Sequence, residues 1–203
     1  NKNNILTDFF TTGTYDARRE FYKTNAPAMD ILVSSNLERL VWFMVNGDSE
    51  KVNKYMEELK ETGVYKVDDE TLARVQKEFK AGCLGEEDVL KVIHDCWNEN
   101  KYLLDTHTAV GYGVYEEYVK NTGDTTKTIL LSTASPYKFP ESVYQALTGE
   151  EVDVYTAIEK LHDLTGMEIS YPLKGIKDRE ILHKGVIDRD AILDTIAEKI
   201  KEY

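Results

Sequence analysis

Two neighbouring strings near the middle of the chain place the tightest limits on the fold. An apolar run at residues 129–131 ends abruptly in the small hydroxyl residues Ser132 and Thr133. Upstream, Asp105 and Thr106 precede a helix-length stretch, and short polar residues of this kind cap helix amino termini. Ligands in open α/β sheets bind where strand carboxyl ends meet helix amino ends. The pattern therefore predicts an α/β fold with a small-molecule site at this junction.

Hydrophobic periodicity predicts a second strand-to-helix turn and many amphipathic helices. Residues 29–34 are apolar and rich in branched side chains, which indicates a buried strand. Ser35 and Asn36 follow that strand and are predicted to cap a helix over residues 37–45. Further helices are predicted over residues 5–10, in charged segments between residues 48 and 100, and over residues 140–147, 152–164 and 188–202. The expected fold is thus α/β, with few parallel strands and many helices.

Composition excludes several classes of function. The net charge of −12 would repel a phosphate backbone, which argues against nucleic acid as a partner. Cys83 and Cys96 lie outside any C-x-x-C pattern, and the histidines lack metal-ligand spacing, so no disulfide framework or metal site is expected. There is no signal peptide and no apolar run of membrane-spanning length. Because the two thiols are expected to be reduced, we expect a cytoplasmic protein, and the absence of a long apolar run predicts that it does not bind membranes.

Three motifs, in order along the chain, resemble the threonine synthase family. The string D-T-H-T-A-V at residues 105–110 resembles a D-P-H-T-A-V helix start, and residues 132–139 resemble an S/G-T-A-H-P-x-K-F strand end. The third motif combines N-I-L-T-D-F-F at residues 4–10 with residues 26–40. Family members are pyridoxal 5'-phosphate (PLP) enzymes of fold type II, the tryptophan-synthase-β-like fold. The resemblance covers residues 1–150 and implies that the chain is the carboxyl-terminal portion of such an enzyme.

The resemblance also implies that part of the enzyme lies outside these residues. Family members carry an F-K-D motif with the Schiff-base lysine and a G-N-F-G loop for the cofactor phosphate, and neither string occurs here. We therefore expect no catalytic residue in this chain, a missing amino-terminal part of the same protein as its partner, and no activity of the chain alone. Residues 1–47 and 101–150 are assigned to the cofactor-binding α/β domain, 48–100 to an inserted helical subregion, and 151–203 to a helical tail.

The cofactor contacts implied by the resemblance are Thr133, His107 and Ser132. The match places the neutral hydroxyl of Thr133 against the pyridine nitrogen of PLP, where it can donate a hydrogen bond to an unprotonated ring. His107, at a helix amino terminus, is expected to contact the ring or the substrate. The structural alternatives are that Thr133 satisfies a backbone group and that His107 is a capped, half-buried histidine. The family has a proline where this chain has Thr106.

Candidate substrate contacts are Lys138, Ser35 and Asn36. An ammonium near a phosphate is favourable, so Lys138 is a candidate for the anionic group of a substrate. Ser35 and Asn36 would add polar contacts from the second strand-to-helix turn. The structural alternatives are a solvated lysine and simple helix capping. At Ser135 the family has a histidine, which puts in doubt a substrate contact at that position.

The activity that the resemblance implies is conversion of O-phospho-L-homoserine and water to L-threonine and phosphate, the last step of threonine biosynthesis. The full-length protein would be a PLP-dependent carbon–oxygen lyase acting on phosphates. One alternative is another fold type II enzyme, such as a serine or threonine dehydratase, and a second is a non-catalytic helical module that binds protein. A cofactor sheet without all its strands exposes an edge, so homo-oligomer formation is also expected.

Overall fold

The computed structural model describes residues 1–201, which divide into two compact units at Ile169 and Ser170. The first unit is helix-rich with a small sheet. Its helices are α1 (Ile5–Thr12), α2 (Ser35–Met44), α3 (Ser49–Thr62), α4 (Asp69–Glu78), α5 (Glu86–Asn100), α6 (Thr106–Thr122), α7 (Pro140–Thr148) and α8 (Val154–Thr165). Its strands are β1 (Thr14–Asp16) and β2 (Val64–Lys66), and short 3-10 helices occupy Pro27–Met29 and Pro136–Lys138.

The predicted helices of the first unit are confirmed, because local signals fix their ends. α6 begins after Asp105, whose carboxylate accepts backbone N–H bonds from the first turn. α7 starts with Pro140, which needs no N–H partner there, and ends at Gly149 with φ of 77°, a left-handed conformation that glycine adopts without strain. α1 likewise ends at Gly13.

The sheet consists of β1 paired antiparallel with β2, with Tyr15 opposite Tyr65. Parallel strands were expected, so this part of the fold prediction is wrong for the described residues. The Tyr15 and Tyr65 rings stack at 5.4 Å, and Phe9 of α1 packs against both. The Tyr15 hydroxyl also accepts the Ser34 N–H at 2.8 Å and donates to the Leu32 carbonyl at 3.0 Å. This core anchors the turn that leads into α2.

Neither segment predicted as a buried strand forms a strand. Residues 129–131 are unpaired, and the side chains of Ile129 and Leu131 are 83% and 75% exposed. In the other segment, a 3-10 helix ends at Met29, the following residues are irregular, and Val33 is 62% exposed. A strand needs a neighbour for its backbone hydrogen bonds and its apolar face, and the described residues supply none beside these segments. Both strand predictions are therefore wrong for the chain by itself.

Helix α5 packs against both α6 and α7, and α7 packs against α8, so these four helices form the carboxyl-terminal half of the first unit. Gly113 of α6 lies where α5 approaches, with the side chains of Leu84 and Val92 directly against it. Leu130 lies over Gly111 on the same helix. The amino terminus of α6 is therefore held between α5 and the extended segment that carries Thr133.

The second unit contains 3-10 helices at Tyr171–Leu173, Ile176–Asp178 and Arg189–Ala191, followed by α9 (Ile192–Lys201). The helix predicted over residues 188–202 is thus shorter at its start, and its last residue lies outside the described part. In the described part of this unit no residue is buried, and the apolar face of α9 is exposed. Across residues 1–201 no helix is long and apolar enough to cross a membrane.

Candidate functional site

The site is built on the first turn of α6. The Asp105 side chain is buried, and its Oδ1 accepts the backbone N–H of His107 at 2.9 Å and of Thr108 at 3.2 Å. Its Oδ2 accepts the Thr108 hydroxyl. Two of the N–H groups that a helix start leaves unpaired are satisfied in this way, and the buried carboxylate is surrounded by donors. The turn is therefore fixed in position.

Thr108 connects this turn to Thr133. Its Oγ1 accepts the Thr133 backbone N–H at 3.0 Å and lies 3.3 Å from the Thr133 Oγ1. Thr108 is buried, whereas Thr133 is exposed. The structure thus holds the Thr133 backbone against the helix, with its hydroxyl next to the same Thr108 oxygen, although the segment forms no strand.

His107 lies beside this pair but has both ring nitrogens engaged. Its Nε2 accepts the Ala28 backbone N–H at 3.0 Å, so Nδ1 carries the proton in the neutral ring. Nδ1 lies 3.3 Å from Asp105 Oδ1, and the His107 side chain is 9% exposed. The ring also packs on Phe139, with centroids 5.0 Å apart. This geometry favours the structural alternative, in which His107 joins residues 27–29 to α6.

Ser132 is exposed and lines two cavities next to the α6 turn. One, of about 400 Å³, is shared with Thr108, Leu130 and Cys96. The other, of about 510 Å³, lies towards Pro136. Burial raises the pKa of the Cys96 thiol, which disfavours the nucleophilic thiolate. The cavities offer space beside Thr133 but no activated nucleophile.

The predicted substrate contacts divide between two places. Lys138 is exposed next to the site, with its Nζ 5.5 Å from the centre of the Phe139 ring. Ser35 and Asn36 form the exposed first turn of α2, where Asn36 Oδ1 accepts a hydrogen bond from Arg39 at 2.6 Å. The helix begins two residues earlier than predicted, with Ser34 as the N-cap and no side-chain capping bond. Among the described residues, no hydrogen bond joins Ser35 or Asn36 to Thr133, so their site roles stay predictions.

Sequence reasoning missed Thr108. Asp105 was interpreted as a cap alone, and its neighbour three residues on received no role. The signal was available, because side chains at an N-cap and three residues later lie on the same side of the first helical turn. Among the described residues, no cluster of three or more histidine, cysteine or acidic side chains could hold a metal ion.

Comparison with known proteins decides the family. The family model described as "Threonine synthase, C-terminal" matches residues 108–174. Threonine synthase of Saccharomyces cerevisiae is 37% identical over 73% of this chain. The crystal structure of threonine synthase from yeast covers all of this chain with 30% identity and a TM-score of 0.82. The chain belongs to the threonine synthase family.

The match is to the carboxyl-terminal part of larger proteins. The chain covers 32% of the yeast protein's sequence and 41% of its crystal structure. Human threonine synthase-like 1 is 33% identical over 80% of this chain, which covers 23% of that relative. A PLP-bound threonine synthase from Brucella melitensis matches 87% of this chain at 30% identity, with a TM-score of 0.66. The chain thus spans about a third of the yeast relative and has the fold of the corresponding part of threonine synthases.

The donor set at Thr133 fits a pyridine nitrogen of the kind found in PLP. The hydroxyl is neutral and belongs to an exposed residue, and its described partner is the Thr108 oxygen at 3.3 Å. A neutral donor suits an unprotonated ring nitrogen, whereas a carboxylate would pair with a pyridinium. The nearby carboxylate of Asp105 is buried and already satisfied by donors of its own turn. The residues present therefore match this cofactor.

Proposed function

We propose that this protein, together with a part equivalent to the amino-terminal portion of its relatives, converts O-phospho-L-homoserine and water to L-threonine and phosphate with PLP as cofactor. The match of the entire chain to yeast threonine synthase carries the proposal. The placement of Thr133 supports the cofactor assignment, because Thr108 holds its backbone and the residue is exposed, next to Ser132, which lines a cavity of about 400 Å³. The reaction class is a PLP-dependent carbon–oxygen lyase acting on phosphates.

The chain's own residues would hold the pyridine side of the cofactor. PLP, when bound, supplies an electron sink for the reacting substrate carbons. Thr133 would donate a hydrogen bond from its hydroxyl to the ring nitrogen and orient the ring without adding charge. Ser132 would contact the cofactor from the same segment, and the Lys138 ammonium would attract the anionic group of the substrate. We infer that these 203 residues do not complete the reaction alone, since the F-K-D and G-N-F-G motifs are absent.

The deciding assay measures products. Phosphate release from O-phospho-L-homoserine with equimolar threonine is expected, and formation of pyruvate from serine or oxobutyrate from threonine is not. Dominant keto-acid formation would instead identify a dehydratase. Absence of both activities in the PLP-loaded protein would favour the non-catalytic alternative.

Thr133→Val tests the cofactor contact. Losing one hydrogen bond to the ring is expected to lower turnover about tenfold to a hundredfold, from about 1.5–3 kcal/mol, while the fold stays intact. Thr133→Ser keeps the hydroxyl and serves as the matched control. Normal turnover of the valine variant with an unchanged cofactor absorbance spectrum would reject the assignment.

A cytoplasmic location and homo-oligomeric assembly also stay proposals, to be tested by cell fractionation and by measuring the mass of the protein in solution.

A further inference from the structure

The hydroxyl of Thr108 has a fixed direction. The Asp105 carboxylate is an acceptor, and its Oδ2 accepts a hydrogen bond from the Thr108 hydroxyl. A hydroxyl has one proton, so the Thr108 oxygen is left as an acceptor for any other neighbour. It accepts the Thr133 backbone N–H at 3.0 Å. The carboxylate thereby turns the lone pairs of Thr108 towards Thr133.

The position of Thr133 depends on this contact. The segment at residues 129–133 has no strand partner in the described part of the chain, and Thr133 is exposed. The described polar contacts of Thr133 are both made with Thr108 Oγ1, from its N–H and its hydroxyl. A buried, oriented oxygen on a helix therefore fixes an otherwise weakly held residue.

We propose that Thr108 is a positioning residue for the cofactor ring nitrogen, acting through Thr133, and that Asp105 orients it. Thr108 holds the peptide of Thr133, and its own proton is committed to Asp105, so in the 3.3 Å contact between the two hydroxyls Thr133 is the donor. An incoming acceptor would take this hydrogen bond in place of the Thr108 oxygen, while the Thr133 N–H stays bound to Thr108. The identity of that acceptor, the ring nitrogen of PLP, rests on the proposed function. The coupling of Thr108 to Thr133 is independent of it.

The first test follows the Thr133 amide. In the intact PLP-loaded protein, Thr108→Val keeps the side-chain size but removes the acceptor, so site-resolved amide hydrogen exchange of Thr133 should become roughly tenfold faster, as expected for one lost hydrogen bond. Thr108→Ser retains the oxygen and should exchange like the wild type. Thr106→Val is the matched control, because Thr106 is buried in the same turn but its hydroxyl faces His107 Nδ1 at 3.3 Å.

The second test follows the ring nitrogen. With PLP labelled with ¹⁵N in the ring, Thr133→Val and Thr108→Val should both shift the ¹⁵N resonance, and Thr108→Ser should restore it. If Thr108→Val does not fold, Thr108→Cys replaces it, since a thiol is a weak acceptor of similar size.

The outcomes separate this inference from the proposed function. If the ring ¹⁵N resonance shifts in Thr133→Val but not in Thr108→Val, the positioning role of Thr108 is refuted, whereas the contact of Thr133 with the cofactor is supported. A signal that does not move with Thr133→Val refutes the cofactor contact itself, and the role of Thr108 towards the ring with it. Unchanged Thr133 exchange in the Thr108→Val protein refutes the coupling.

Discussion

Two glycines in α6 should respond in opposite ways to the same substitution. Replacing glycine by alanine inside a helix normally stabilises a protein by about 1 kcal/mol. A Cβ at Gly111 would meet Leu130 at 3.6 Å, an ordinary contact, so Gly111→Ala should show that gain. A Cβ at Gly113 would lie 2.5 Å from Leu84 Cδ1 and 2.9 Å from Val92 Cγ2, which forces both side chains to move.

The size of the difference follows from these contacts. Overpacking costs about 1–3 kcal/mol, and the end of Leu84 can rotate more easily than the branched Val92, so a cost near 2 kcal/mol is reasonable. After the helix gain, Gly113→Ala should destabilise the protein by about 1 kcal/mol, and the two variants should differ by about 2 kcal/mol. Urea denaturation with equal m-values is the assay. Equal stabilisation by both substitutions would refute the close approach of α5 to α6.

Two further changes test other parts of the fold. Tyr15→Phe should lower the free energy of unfolding by about 1–3 kcal/mol in urea denaturation, because both partly buried backbone partners of its hydroxyl lose their bond. Tyr22→Phe removes an exposed hydroxyl and should change that free energy by less than about 0.5 kcal/mol. Similar losses in the two variants would contradict this account. Hydrogen bonds from the Lys51 side chain, and then from the Thr71 backbone, lower the pKa of the Asp68 carboxyl. Because the pKa of this carboxyl is lowered in the folded state, its contribution to stability is present above about pH 4 and is lost as the pH falls further. Asp68→Asn should therefore make the free energy of unfolding less dependent on pH in the acid range. An unchanged pH dependence would disprove the contribution of Asp68.

Helix ends were predictable from sequence because their causes are local. The carboxylate of Asp105, the ring of Pro140 and the left-handed Gly149 each act within one turn of their own position. The short strands were missed for the converse reason. β1 and β2 are three residues each, too short for an alternating pattern, and their pairing joins residues fifty positions apart.

The site was partly predictable. The resemblance located Thr133 beside α6, and the structure agrees that the two meet. It could not reveal that Thr108 makes the connection, since that contact depends on how residues 129–133 lie across the helix. The engagement of His107 by Ala28 was equally hidden, because it joins residues 79 positions apart.

The uncovered segment at residues 128–133 has a consequence for handling the protein. T-I-L-L-S-T is uncharged, free of proline and rich in residues that favour cross-β stacking, and two of its apolar side chains project from the surface. Any element that covered these side chains in a longer protein would therefore also suppress fibril growth. When these residues are produced by themselves, Ile129→Lys or Leu131→Lys is the first substitution to make against aggregation.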